Sequence, residues 1–256
     1  MRKQNKKVNA MPIKMKPLKI ATYNIRHGAD AGFDFSVLAE DLFALDVDIA
    51  GIQEIDICTE RVGGVDSLRA LCEKSPYKYF RFIHAMNYRG GEYGTAIISR
   101  YPINEFGVFP LTSDRYEPRA AGLAIIDIDG EPLCFFNTHL EYKSAHQRAI
   151  QFAQLASILN SSERYILTGD FNTENFSEFD VIKDKRLANN DAERFETFPL
   201  PVTETREKGG KNGMAIDNIV ISDTLGFLSK EMVNTHHSDH CILAATVGIL
   251  PEGAEK

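Results

Sequence analysis

The chain alternates between short apolar runs and polar breaks, and most of the runs are too short to be helices. Leu18–Ile25 (LKIATYNI) and Asp48–Glu54 (DIAGIQE) read as buried strands. Between them Phe35–Leu45 is predicted helical, with Leu38, Leu42 and Leu45 at helical spacing and Asp34 or Ser36 as its cap. Val65, Leu68, Leu71 and Cys72 mark a second helix, which Pro76 closes. The middle is strand-rich: Tyr77–His84, Gly94–Ser99, Ile103–Pro110, Ala121–Asp127 and Leu133–Leu140 are runs bounded by turn residues. Ala145–Leu159 is a third helix, with Ala149, Phe152, Ala153 and Ala156 on one face, and Tyr165–Leu167 is a short buried strand. Residues 173–214 carry no clear period. Order returns with Ala215–Ser222 and with Ser238–Val247.

Polar residues collect where these strands end. Asn24, Glu54, His139, the pair Asp170 and Asn172, and Asp239-His240 all stand at or beside strand ends, and Asp217 lies inside a further strand. Asp170 and Asn172 follow Gly169 two residues apart, so a carboxylate and a carboxamide can face one cleft and hold a water. Taken alone, Gly, Asp and Asn there also suit an ordinary turn. Strand-end loops gather at one edge of a sheet, so the groups together define a candidate site better than any one does.

Composition sharpens this picture in two ways. With 256 residues, 43% hydrophobic and 25% charged, the chain suffices for one large domain with a real core, expected over residues 18–250. Of 29 basic and 36 acidic residues, six basic ones lie in residues 1–17 without any acid, so the remainder carries a formal charge of -13. An acidic body argues against tight, metal-free binding of nucleic acid. Residues 1–17 read as a disordered basic leader. They lack the apolar run of a signal peptide, and no stretch approaches a membrane-spanning length, which predicts a cytoplasmic protein. Cys58, Cys72, Cys134 and Cys241 are scattered and suggest neither a zinc site nor a disulfide framework.

TYNI (22–25), QE (53–54), GTAIIS (94–99), NTHL (137–140), GDFN (169–172), ID (216–217) and SDH (238–240) occur in that order. In this the chain resembles the endonuclease/exonuclease/phosphatase family of DNase I-like phosphoesterases, from about Leu18 to Val247. The resemblance implies an α/β fold: a four-layer α-β-β-α sandwich of two packed, mostly antiparallel sheets flanked by helices. It also implies Mg²⁺-dependent cleavage of a phosphoester, with Mn²⁺ as a possible substitute.

Site roles carried over from the resemblance are as follows. Glu54 matches the family's metal-binding glutamate, with Asn24 and Asp239 completing the metal shell; one or two carboxylates and several waters suit Mg²⁺. Asp170 matches the residue that activates the attacking water, and Asn172 one that holds the phosphate. His240 matches the essential histidine and Asp217 its paired acid, an arrangement that raises an imidazole's pKa. His139 matches a phosphate-contacting histidine, and Arg119 is a further phosphate ligand. Two departures stand out. Arg26 occupies a position that often carries an acid, which favours one principal metal site, and Asn218 replaces an aromatic or histidine, which puts the neighbouring pocket wall in doubt. His27 is close enough to Asn24 to line a cleft, whereas His84, His146, His236 and His237 lack motif context.

The expected activity is metal-assisted in-line attack of water on phosphorus. Its substrate is expected to be a small phosphorylated metabolite or lipid headgroup, with DNA or RNA as the alternative; the lack of Trp and of a basic stripe weighs against nucleic acid. An inert binding protein on the same fold is the rival, but the chain keeps Glu54, Asp170, Asn172, Asp217, Asp239 and His240. Substrate choice is expected in Tyr88–Tyr93, Thr112–Arg119 and Arg206–Gly213, the last as a basic lid bearing Arg206, Lys208 and Lys211.

Overall fold

In the computed structural model, residues 16–201 and 212–249 are described. The basic leader up to residue 15, and the part of the expected lid that bears Arg206, Lys208 and Lys211, lie outside the described residues.

β1 (Leu18–Asn24) is followed by α1 (Phe35–Ala44), which Asp34 caps by accepting from the Ser36 N–H. β2 (Ile49–Ile57) leads to α2 (Ser67–Glu73), capped by Asp66 through the Arg69 N–H. Val65 therefore precedes the helix rather than belonging to it. β3 (Tyr79–Tyr88) and β4 (Gly91–Ser99) form a long hairpin, and β5 (Ile103–Leu111), β6 (Arg119–Ile128) and β7 (Glu131–His139) form a meander. α3 (Ala145–Leu159), capped by Ser144, carries the chain to β8 (Tyr165–Asp170). Short strands β9 (Lys185–Leu187), β10 (Phe198–Pro199) and β11 (Gly213–Met214) precede β12 (Asp217–Ser222), β13 (Leu225–Val233) and β14 (Ile242–Ile249).

Two six-stranded sheets result, ordered β13-β14-β1-β2-β4-β3 and β5-β6-β7-β8-β12-β9. Each contains one parallel pair, β1 with β2 and β7 with β8, and is otherwise antiparallel. A parallel pair needs a crossover, and α1 and α3 supply them. Ile20, Ile49, Ile97, Phe135, Ile166, Ile219 and Leu243 fill the space between the sheets. Leu38, Leu42, Leu68 and Leu71 seat α1 and α2 on the outer face of the first sheet, and Phe152, Leu155 and Leu159 seat α3 on the second. The four-layer sandwich expected from the resemblance is the observed architecture.

The strand β13 was not anticipated. It lies at a sheet edge, and a register shift between Phe227 and Ser229 interrupts its alternation, so its LGFLSKEMV pattern carries little period-two signal. No helix among the described residues is long and apolar enough to cross a membrane. All four cysteines are free thiols.

Candidate active site

The topology places the polar strand ends on one edge of the sandwich. Strands β1, β7 and β8 finish there with Asn24, His139 and Asp170, and β2, which runs on to Ile57, brings Gln53-Glu54 to the same edge. Their antiparallel neighbours β12 and β14 begin there, with Asp217 opposite Asp170 and with His240 just before β14. A register shift in β2 between Ile52 and Ile55 contains Glu54, whose φ of 59° breaks the strand alternation. Gln53 is thereby buried between the sheets while Glu54 lines the cleft. On the other side Phe171, fully buried, packs in a three-ring cluster with Phe152 and Phe179 at 4.7–5.7 Å between centroids. This pins the loop between Asp170 and Asn172, so the phenylalanine of GDFN anchors while its neighbours face the cleft. Asn172, at φ 53°, turns the chain.

Glu54, Arg119, His139, Asp170, Asn172, Asp239 and His240 line a cleft of about 430 Å³. Asn24 and Asp217 sit directly behind that surface. The Asn24 Nδ2 donates to Glu54 Oε1 (3.2 Å) and Asp170 Oδ2 (3.1 Å), while its Oδ1 accepts from the Arg26 N–H (3.0 Å). Asn24 thus ties the two carboxylates together through its amide nitrogen. Asp170 Oδ1 also accepts from the Asn172 N–H at 2.9 Å, and the Asn172 Nδ2 donates to the Leu140 carbonyl. The His139 Nε2 lies 3.4 Å, and the His240 Nε2 3.8 Å, from Asp170 Oδ2. His240 Nδ1 meets Asp217 Oδ2 at 2.8 Å, with both residues buried.

Burial and neighbouring charge separate the ionisation of these groups. Burial, reinforced by the charge of Asp217, raises Asp170 to about 7. Burial opposes a charged His240, but the charge and hydrogen bond of Asp217, with Asp170 and Asp239 beyond, prevail and hold it at about 10. Burial also opposes the charged form of Glu54, yet His27, His139 and Asn24 hold its carboxyl down to about 2. His139 is pushed well below the ordinary value, first by burial and then by the Arg119 charge, so it is neutral. The result is a carboxylate poised near neutrality beside an imidazolium.

The donor set fits a hard divalent cation. Glu54 and Asp239 bring carboxylate oxygens to the cleft wall, which carries more carboxylates than cations. The ligand atoms of Asp170, Asp217 and His240 lie within 4.8 Å of one another, but His240 Nδ1 is already committed to Asp217. That group is accordingly better suited to moving a proton, and the oxygen-rich Glu54 side to holding an ion. Arg26 approaches Asp239 Oδ2 at 3.4 Å and Asp30 at 3.2 Å, so a guanidinium stands where a second acidic ligand could have been.

Other sequence readings resolve as follows. Arg119 is buried and pairs with Glu117 at 3.0 Å. His27 lies 3.7 Å from Glu54 Oε2. Asn218 does not form a pocket wall: it is buried and exchanges hydrogen bonds with the Asn189 backbone, so that departure leaves the cleft intact. His237 pairs with Asp41 at 2.9 Å, away from the cleft lining. Asn137 was missed, although it lies in the NTHL motif. Its Nδ2 donates to the Ile52 and Ala96 carbonyls, and its Oδ1 accepts from Gln53 Nε2 at 2.7 Å, which clamps the two sheets together beneath Glu54. Arg61 and Phe198 were missed as well. Phe198 lies edge-on to the His240 ring at 4.9 Å, a contact between segments 42 positions apart that no local motif marks.

The family model described as Endonuclease/Exonuclease/phosphatase family matches residues 21–240. No curated protein matches the chain. Among solved structures, an endonuclease/exonuclease/phosphatase from Bacteroides vulgatus is 18% identical, with 92% of this chain and 100% of that one covered and a TM-score of 0.71. The human Nocturnin catalytic domain is 18% identical, covering 91% and 94%, with a TM-score of 0.70. A mannosyl-6-phosphatase of Bacteroides thetaiotaomicron is 21% identical, covering 90% and 99%, with a TM-score of 0.63. At these identities the structural likenesses speak for the fold alone.

Proposed function

The chain belongs to the endonuclease/exonuclease/phosphatase family, and from that premise we propose that it is a divalent-metal-dependent phosphoesterase acting on a small phosphorylated metabolite or lipid headgroup. The observation that carries this reading is the pairing of Asp170, raised to about 7, with the imidazolium of His240 held by Asp217, in a cleft lined with further carboxylates. A base near neutrality and a fixed cation are what in-line hydrolysis requires of the protein.

Glu54 and Asp239 would hold the ion, with Asn24 orienting Glu54 through its amide N–H. When bound, Mg²⁺ or Mn²⁺ supplies charge to a phosphoryl oxygen. Asp170 takes the proton of the attacking water, and the Asn24 and Asn172 N–H donors fix its orientation. His240 presents its Nε2–H to the phosphoryl oxygen as charge develops. Neutral His139, Asn172 and Arg119 line the phosphate's other sides, and Phe198 screens the imidazolium from water.

Hydrolysis of aryl phosphate mono- and diesters with Mg²⁺ or with chelator tests the reading. Turnover should require the metal and disappear in Asp170→Asn. Metal-independent turnover, or full activity in that variant, would overturn it. A nuclease activity is the second reading, and comparing oligonucleotides with small phosphoesters separates the two.

A further inference from the structure

The cleft extends past the phosphate-facing residues to a wall that the hydrolytic chemistry does not use. Arg61 stands there on the turn after β2. Its Nε and Nη2 donate to the two oxygens of Asp56 at 2.6 and 2.7 Å, and Asp56 is fully buried and also accepts from Thr59 Oγ1 at 2.5 Å. Its guanidinium lies 4.8 Å from the Tyr88 ring centroid and 5.3 Å from that of Tyr93. The β3–β4 hairpin is held against this turn by the Glu60 N–H, which donates to the Arg89 carbonyl at 2.9 Å. Gly91 permits the close approach, since a Cβ there would come within 2.2 Å of the Ile57 carbonyl oxygen. The guanidinium plane is therefore set before any ligand arrives, and Arg61, Tyr88 and Tyr93 all line the cleft. Arg61 Nη1 has no hydrogen-bond partner among the described residues. Across the same cleft Arg119 is buried, with its Nε unpartnered.

Charge decides what such a wall can recognise. Arg61 is offset by Asp56 and Arg119 by Glu117, while Glu54, Asp170 and Asp239 add further carboxylates to the cleft. A single phosphate would be compensated by His240 together with a cation held at Glu54 and Asp239. Among the described residues, a second phosphate or a polyanionic chain would meet further carboxylates, while Arg61 and Arg119 are each already paired with an acid. What remains at the wall is a set of fixed donors, the acceptor oxygens of Glu117, and tyrosine rings. A hydroxyl donates and accepts at once, and the C–H face of a sugar ring covers an aromatic ring without carrying charge. We propose that Arg61, Tyr88 and Tyr93 form a specificity subsite for the uncharged polyhydroxylated ring of a phosphorylated sugar. This rests on the cleft being a phosphoesterase site.

The test compares released phosphate from a hexose 6-phosphate and from ethyl phosphate, in the wild type, Tyr88→Ala and Arg61→Lys. Tyr88 is half-buried and makes no side-chain hydrogen bond among the described residues, and Arg61→Lys keeps a cation against Asp56, so the pair guards against misfolding. Each variant should lower the ratio of kcat/KM for the hexose phosphate to that for ethyl phosphate by about tenfold, mainly through KM. A ratio unchanged within about twofold in both variants would overturn the subsite. So would a wild-type preference for an oligonucleotide or an inositol polyphosphate over the hexose phosphate. If the wild type hydrolyses neither monoester and also fails on the aryl phosphate mono- and diesters, the phosphoesterase reading itself falls. Calorimetric titration with the hexose 6-phosphate and Mg²⁺ then decides the subsite: weaker binding in Tyr88→Ala sustains it, and equal or absent binding refutes it.

Discussion

Replacing Asp217 by Asn tests the electrostatic core of the site with one atom changed. The side chain keeps an oxygen for the 2.8 Å contact to His240 Nδ1, so the geometry survives while the negative charge is lost. His240 is held at about 10 against an ordinary 6.5 because the charge and hydrogen bond of Asp217 outweigh burial. Without that charge burial is opposed by the remaining carboxylates, Asp170 and Asp239 first among them, and the imidazole should fall well below its native value, towards the ordinary range. At pH 8 an imidazole of pKa 6.5 is protonated in only about 3% of molecules, roughly a 30-fold loss from charge alone. With the donor also less well fixed, turnover at pH 8 should fall on the order of 10²-fold or more. The pH profile carries the sharper signature. Wild-type kcat/KM should rise as Asp170 loses its proton near 7 and fall as His240 loses its own near 10. In Asp217→Asn the falling limb should move down by several pH units. The rising limb feels two opposed changes, loss of the Asp217 charge that raises Asp170 and loss of the imidazolium charge that lowers it, so it should move less than the falling limb. The deficit therefore narrows as pH drops towards 6. A variant within about threefold of wild type at pH 8, or with its alkaline limb unmoved, would refute the pairing.

Glu54→Gln should abolish Mg²⁺-dependent turnover and weaken Mn²⁺ binding by calorimetry at least about tenfold, with Tm near wild type because the residue lines the cleft rather than the core. Gly51→Ala places a Cβ 2.0 Å from Thr168 Oγ1 and 2.4 Å from Asn137 Oδ1, so it should cost about 1–3 kcal/mol in urea unfolding and lower activity through the Gln53–Asn137 clamp. Phe171→Ala should destabilise by about 3–5 kcal/mol in the same assay, and a loss under about 1 kcal/mol would mean the three-ring cluster does not anchor the loop.

Most strands and all three helices were legible because each buries a continuous apolar run or a helical stripe. Leu38 and Leu42 of α1 and Ile166 and Leu167 of β8 leave little choice of state. The short strands β9, β10 and β11 were not legible. Two or three residues cannot display a period, and Phe198-Pro199 pairs with Gly213-Met214 across a long separation. The polar residues that gather at the cleft were visible because side chains of this kind at strand ends interrupt apolar runs. The residues that shape the cleft were not, since Arg61 reads as a surface charge until Asp56, Tyr88 and Tyr93 are brought to it.

The same distinction explains why the proposed hydrolytic set is compact and the proposed substrate wall is not. Asp170, His139 and Asp217 occupy neighbouring register positions on β8, β7 and β12, so backbone pairing alone sets their spacing. Asn24 and Glu54 reach them from the other sheet, and the Gln53–Asn137 and Asn137–Ala96 hydrogen bonds fix the distance between the two sheets at that edge. Chemistry that tolerates little displacement is thus tied to the most cooperative part of the fold. Arg61, Tyr88 and Phe198 hang from a turn, a hairpin and a two-residue strand, each held by a few local bonds. Substitutions there can change which substrate fits while the distance between Asp170 and His240 is preserved, which is why specificity is best sought in those three elements and turnover in the register of the sheets.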